Sequence, residues 1–157
     1  GNNCNERMTR TMKTKVFTVH HLIKESNANH HHTLFAGQGA SWMVEIGAIC
    51  AAGNAGHSEI VCLKIHGMLF KKPVKMGSIL RMDAQVVLAG RSSLTVHIVA
   101  SDGITGDFIV DGYITYIVTD PAGHSIPHGI TFIPETDEEK AANTEAKRLL
   151  SNNLKVN

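Results

Sequence analysis

One carboxylate stands inside an otherwise apolar stretch. In "SWMVEIGAICAA", residues 41–52, Glu45 is surrounded by Trp42, Met43, Val44, Ile46, Ala48 and Ile49. Burying an unpaired charge is costly, so this acid is exposed, paired or used in chemistry. In chemistry it would be a general base or a nucleophile; otherwise it lies on a solvated or hydrogen-bonded helix face. Upstream lies "NHHHTLFAGQGA", which begins at Asn29. Neighbouring residues of an extended chain point to opposite sides, so His30, His31 and His32 do not converge on one ion. They read as a polar loop rather than a metal centre. Downstream, Arg91, Ser92 and Ser93 combine a fork of N–H donors with two hydroxyls, a set suited to phosphate. The plain alternative is a turn entering a strand with its arginine solvated. Lys147 and Arg148 offer two more cations near the end of a tail helix, where basic residues are common anyway.

These residues need elements to hold them. The stretch "TKVFTVHHLI", residues 14–23, predicts a first strand, and "KESNANHHHTLFAG" a loop. A helix is expected over 38–52, stopped by Gly53 and Asn54. Four strands are expected over 59–67, 78–89, 93–101 and 107–120, joined as a meander, with alternation at Leu80, Met82, Ala84, Val86 and at Leu94, Val96, Ile98. Thr136 followed by Glu139 fits a capping box and starts a polar helix to about residue 150. The central helix is rich in small residues: Gly39, Ala40, Ser41, Gly47, Ala48, Ala51, Ala52. Such a surface lets a sheet approach closely. One antiparallel sheet wrapped around one helix, an α+β hotdog fold, satisfies both patterns. The expected organisation is a polar extension over 1–13, a hotdog domain over 14–134 and a helical tail over 135–157.

Three segments in order resemble the hotdog acyl-CoA thioester hydrolase family, which includes bacterial short- and medium-chain acyl-CoA thioesterases and the brain acyl-CoA hydrolase. They are residues 29–52, "LFKKPVKMGSIL" (69–80) and "GRSSLTVHI" (90–98), and "DGYITYIVTDPAGHSIPH" (111–128) continues the likeness. The resemblance implies hydrolysis of acyl-CoA to an acid and free coenzyme A, with no separate cofactor. It implies that Asn29 orients water or the carbonyl, that the Gly37 N–H at the helix start stabilises the thioester oxygen, and that Gly90, Arg91, Ser92 and Ser93 contact coenzyme A. In the family the asparagine and the acid come from two subunits. A homo-oligomer follows, at least a dimer and by resemblance a hexamer of three dimers.

This sequence departs from the family at informative places. The family's glycine before Thr33 is His32, and its Gly-Gly is Ala36-Gly37. The family's catalytic aspartate falls on Val44 in an ungapped alignment, one residue before Glu45. Glu45 is expected to replace it, through its longer side chain or a shifted turn. The competing reading is an acyl-CoA binding or sensing protein that has lost its base. A hotdog dehydratase or hydratase is disfavoured, because no clear Asp-x-x-x-x-His loop is present.

Composition fits these expectations. A chain of 157 residues supports one domain with a sizeable core. A net charge of +1 gives no electrostatic case for nucleic acid or a membrane surface. No apolar run reaches membrane-spanning length. The polar, basic first residues do not read as a signal peptide. Gly1 in place of Met reads as an expression remnant, which leaves open whether an upstream targeting segment was removed. Cys4, Cys50 and Cys62 are expected as free thiols of a reducing compartment, and the expected location is cytoplasmic.

Overall fold

Alternation in the second half of the chain becomes three long strands, each with one face turned to a common core. The computed structural model describes residues 10–13, 15–56 and 59–152, so Cys4 lies outside the described residues. The order is β1 (Arg10–Met12), β2 (Phe17–Leu22), a single 3-10 turn (Glu25–Asn27), α1 (Ala36–Ala55), β3 (Ile60–Met68), β4 (Ile79–Ala89), β5 (Ser93–Asp102), β6 (Phe108–Val118), β7 (Ile130–Phe132) and α2 (Asp137–Asn152). Five strands form an antiparallel sheet in the order β2-β4-β5-β6-β3. Leu80, Met82, Ala84 and Val86 of β4 share its inner face with Leu94, Val96, Ile98 and Ala100 of β5 and with Ile114, Tyr116 and Val118 of β6, all buried. Nonpolar burial of this kind is the main stabilising term.

The sheet corrects the expected meander. Only β4, β5 and β6 run as one. β3 lies at the far edge beside β6, so residues 69–78 must carry the chain back across the sheet to β4. Periodicity identifies strands but not their neighbours. The supposed extension over 1–13 also contains β1, which pairs in parallel with β7, Arg10 opposite Ile130. Two three-residue strands are too short to show a period.

α1 also runs past its expected stop. Gly53 and Asn54 both lie inside it, and Gly56, in the left-handed region at φ 66°, provides the cap. Gly53 is a contact rather than a breaker, because a Cβ there would strike the Phe17 ring. The Asn54 side chain donates back to the Cys50 carbonyl at 2.8 Å, which suits a helical position. Met43, Ile46, Gly47, Cys50 and Ala51 face the sheet. Burial pushes the Cys50 thiol up to about 12, so it is a small hydrophobe rather than a reactive group.

The opposite face of the sheet carries α2. A bulge between Val86 and Leu88 turns Val87 outward to meet Ala142 and Ala146. The Asn143 amide donates to the Val87 carbonyl at 2.7 Å. The capping box forms as expected: the Glu139 N–H donates to Thr136 Oγ1 at 3.1 Å, and the Thr136 N–H donates to Glu139 Oε1 at 3.3 Å.

The helix lies close on the sheet at Gly47, where an added Cβ would collide with the Tyr116 phenol. Gly47→Ala is expected to cost about 1–3 kcal/mol through overpacking, lowering Tm by roughly 2–10 °C. Tyr116→Phe in the same chain should recover part of the loss. Thermal melts of the two single variants and the double variant measure that coupling.

Candidate active site

The loop before α1 is organised by one side chain. Asn29 Oδ1 accepts from the His31 N–H at 2.9 Å, the Thr33 N–H at 3.3 Å and Thr33 Oγ1 at 3.2 Å. The Asn29 N–H donates to the Thr33 carbonyl at 2.8 Å. Asn29 is therefore a turn former, as its residue type allows. Because Oδ1 is occupied, the part of the amide left for chemistry is the Nδ2 donor. His32 sits at the tip with φ 58°, the only non-glycine described at positive φ. That geometry accounts for the family's glycine at this position.

The crossover between β3 and β4 pins this loop. Leu34 N–H donates to the Val74 carbonyl at 2.7 Å, and Met76 N–H to the His32 carbonyl at 3.0 Å. Phe70 packs on Gly39, where a Cβ would meet its ring at 3.3 Å. A cleft of about 260 Å³ results, with Asn29, Ala36, Phe70, Lys71 and Lys72 in its walls. Phe35 precedes the helix and supplies no side-chain cap. The first N–H groups of α1, Gly37 among them, therefore remain available at the positive end of the helix dipole.

Glu45 lies elsewhere. It is exposed, eight residues beyond Gly37, which is about 12 Å along the axis. Its charge acts on His21, a β2 residue whose ring stacks on Trp42 with centroids 3.9 Å apart. Burial lowers the His21 imidazole, and the Glu45 charge opposes that shift. Val44 is turned by about 100° from Glu45. It is half-buried against the core, and its carbonyl accepts the Tyr116 hydroxyl at 2.6 Å. A reacting atom must lie about 3 Å from each group acting on it. One chain therefore does not bring Glu45 to Gly37 and Asn29.

Arg91, Ser92 and Ser93 form the β4–β5 turn and share a cleft of about 740 Å³ with Lys64, His66 and Thr115. Gly90 leaves room there for the Ser93 hydroxyl, which would have to rotate away from an added Cβ. The turn is braced from behind. Val118 N–H donates to the Ser92 carbonyl at 2.8 Å and His128 N–H to the Arg91 carbonyl at 3.1 Å. His128 Nδ1 accepts from Ile130 N–H, so its Nε2 carries the proton donated to the Ser93 carbonyl at 2.9 Å. The Arg91 side chain remains exposed. Sequence reasoning missed Lys72, which lines both the Asn29 cleft and a neighbouring groove, and Tyr116 as the group that holds Val44. The basic pair in "LFKKPV" was the available signal for the first. The described residues contain no group of three or more metal-ligand side chains, and no described helix is long and apolar enough to cross a membrane.

Residues 31–107 match the family model described as thioesterase superfamily. The uncharacterized acyl-CoA thioester hydrolase YkhA of Bacillus subtilis is 27% identical over 117 residues, 72% of this chain and 67% of that protein. The acyl-CoA thioester hydrolase YciA of Escherichia coli is 28% identical over 109 residues, 65% and 82% of the two chains. An acyl-CoA hydrolase of Staphylococcus aureus, solved with butyryl coenzyme A, coenzyme A and coenzyme A disulfide, has a TM-score of 0.78 at 29% identity, over 88% of this chain and 83% of that one. An apo-hexameric acyl-CoA thioesterase has a TM-score of 0.80 at 25% identity, over 89% and 91%. Alanine variants of the Staphylococcus aureus protein have been solved at an asparagine and an aspartate fifteen positions apart. Fifteen positions beyond Asn29 stands Val44.

Two outcomes follow from this geometry. His32→Val should cost about 1–2 kcal/mol, because a β-branched residue resists positive φ, while His32→Gly should stay near wild type; denaturant melts measure both. Burial, with Lys64 adding to it, also lowers the His66 imidazole. A histidine whose folded value lies below its unfolded one stabilises fully above the unfolded value and loses that contribution as pH falls. Stability should therefore decline from pH 7 toward pH 5, and His66→Gln should flatten the decline in melts across that range.

Proposed function

We propose that the chain is a hotdog-fold acyl-CoA thioester hydrolase of the thioesterase superfamily and hydrolyses acyl-CoA to a free acid and coenzyme A, a reading that the superfamily match and the acyl-CoA hydrolase relatives support. The observation that carries the reading is the uncapped start of α1 held against the Asn29 loop. Water oxygen adds to the thioester carbon, and the carbonyl oxygen takes the charge. The Gly37 N–H and Asn29 Nδ2 donate to that oxygen or orient the water. The carbon–sulfur bond then breaks, and the proton removed from water passes to the leaving sulfur. We assign the base to Glu45, the one carboxylate of α1. Arg91, Ser92 and Ser93, at the turn opened by Gly90, bind the nucleotide end. The reaction so written needs no cofactor.

The separation of Glu45 from Gly37 calls for a second chain. β3 offers the contact: it is an edge strand of nine residues exposing Val61, Leu63 and Ile65. Such an edge templates pairing with another strand, so the partner is a second copy across a twofold axis. Assembly of three dimers rests on the hexameric relatives. We propose a cytoplasmic location, which the free thiols of Cys50 and Cys62 among the described residues support.

Val44 favours a second reading, a protein that binds acyl-CoA without cleaving it. Thiol release from a panel of acyl-CoA substrates separates the two. Glu45→Gln should lower turnover by roughly two to four orders of magnitude if Glu45 is the base. If wild type is inactive and Val44→Asp hydrolyses, the binding reading holds; equal turnover of wild type and Glu45→Gln removes Glu45 from the mechanism. Leu63→Lys on the β3 edge should yield monomers in sedimentation and abolish turnover. An active monomer would refute the shared site.

A further inference from the structure

His21 is the last inward-facing residue of β2. Phe17 and Val19 pack on the core from the same face, while Thr18, His20 and Leu22 point the other way. The His21 imidazole lies flat on the Trp42 indole of α1, with centroids 3.9 Å apart and the planes within 3° of parallel. Glu45 follows Trp42 by three residues, so the two are neighbours on the helix surface. The carboxylate is exposed, and the stacked rings are half-buried.

The elements around this ring differ in what they bring to it. β4 places the apolar Leu80 opposite His21 in register. β2 is an edge strand, with no described strand on its other side. α1 brings Glu45, the one charge acting on the ring. Burial lowers the imidazole, so at neutral pH it is uncharged and free to accept a proton, and Glu45 favours the protonated form that results. A general base works best when its pKa lies near the working pH, a condition that among unperturbed side chains singles out histidine. The chain beyond His21 is also tied to the start of α1. Ile23 N–H donates to the Ser78 carbonyl at 2.9 Å, Phe35 N–H to the Asn27 carbonyl at 2.9 Å, and Asn27 Nδ2 to Gln38 Oε1 at 3.4 Å. One segment thus places both His21 and the Asn29 loop.

We propose that His21 is the proton acceptor of the thioester hydrolysis, held flat by Trp42 and backed by the Glu45 carboxylate. This deepens the acyl-CoA reading and rests on it. The imidazole takes a proton from water as the water oxygen bonds to the thioester carbon. When the carbon–sulfur bond breaks, the imidazolium returns that proton to the leaving sulfur, so ring and carboxylate end the cycle as they began. Glu45 acts as base through the ring, by stabilising the charge formed on it. His21 and Glu45 belong to one chain, so a second copy meets them together.

Trp42 is the one tryptophan of the chain, so its emission reports the ring stacked on it. On the full chain, emission followed against pH should show a midpoint below the ordinary histidine value, and Glu45→Gln should move that midpoint lower. The rate of thiol release, as kcat/KM, should rise with pH through the same midpoint. His21→Gln and His21→Phe should each lower turnover by roughly two to four orders of magnitude; the second keeps an aromatic ring on Trp42 and guards against loss of the fold. His21→Phe with Glu45→Gln should cost no more than the worse single variant, because the two act as a unit. Wild-type turnover in His21→Phe overturns the proposal, as does a rate midpoint that departs from the emission midpoint. An emission midpoint unmoved by Glu45→Gln uncouples the acid from the ring and overturns the pair. Failure of the hydrolase reading looks different: wild type itself releases no thiol at any pH, which removes this proposal with it.

Discussion

How closely α1 lies on its sheet decides most of what this molecule can do. At Gly47 the helix backbone meets the Tyr116 ring with no intervening side chain, and the phenol reaches the Val44 carbonyl. A carbonyl has two lone pairs, so it can accept this bond besides its helical one. The bond satisfies a buried hydroxyl that would otherwise destabilise the core. It also sets the rotation of α1 about its axis. With Met43 and Gly47 against the sheet, Glu45 must face outward and Val44 must lie on the flank.

The second determinant is the crossover after β3. An edge strand followed by a strand nearer the sheet's other edge forces residues 69–78 past the start of α1. There they hold the Asn29 loop through Leu34 and His32 and pack Phe70 on Gly39. The same segment places Lys71 and Lys72 in the walls of both the Asn29 cleft and a neighbouring groove lined by β3, β6 and α2. Topology, rather than local sequence preference, sets this segment against the start of α1.

Division of labour between the faces follows from burial. The inner face is apolar because α1 covers it. The outer face is only partly covered by α2, so it retains polar residues at alternate positions, Thr95 and His97 on β5 and Asp111, Tyr113 and Thr115 on β6. Tyr113 stacks on His97, and burial together with the nearby carboxylates of Asp111 and Glu145 pushes its phenol up to about 12. The phenol thus stays neutral and structural at ordinary pH, while the neighbouring groove remains open.

Local pattern alone was sufficient for the long strands, the central helix, the capping box at Thr136 and the family likeness. Each depends on residues close in sequence, whose period or spacing reflects one buried face. The end of α1 was misjudged because Gly53 and Asn54 act through Phe17 and Cys50, contacts that composition does not record. The place of β3 at the sheet edge, and the pairing of β1 with β7, depend on which strands meet, and pairing is a long-range choice. The residues of the candidate site were legible as types: an asparagine, an uncapped helix start, an arginine beside two serines, a carboxylate. Their distances were not, since the rotation of α1 and the route of residues 69–78 are fixed only when the helix packs on its sheet.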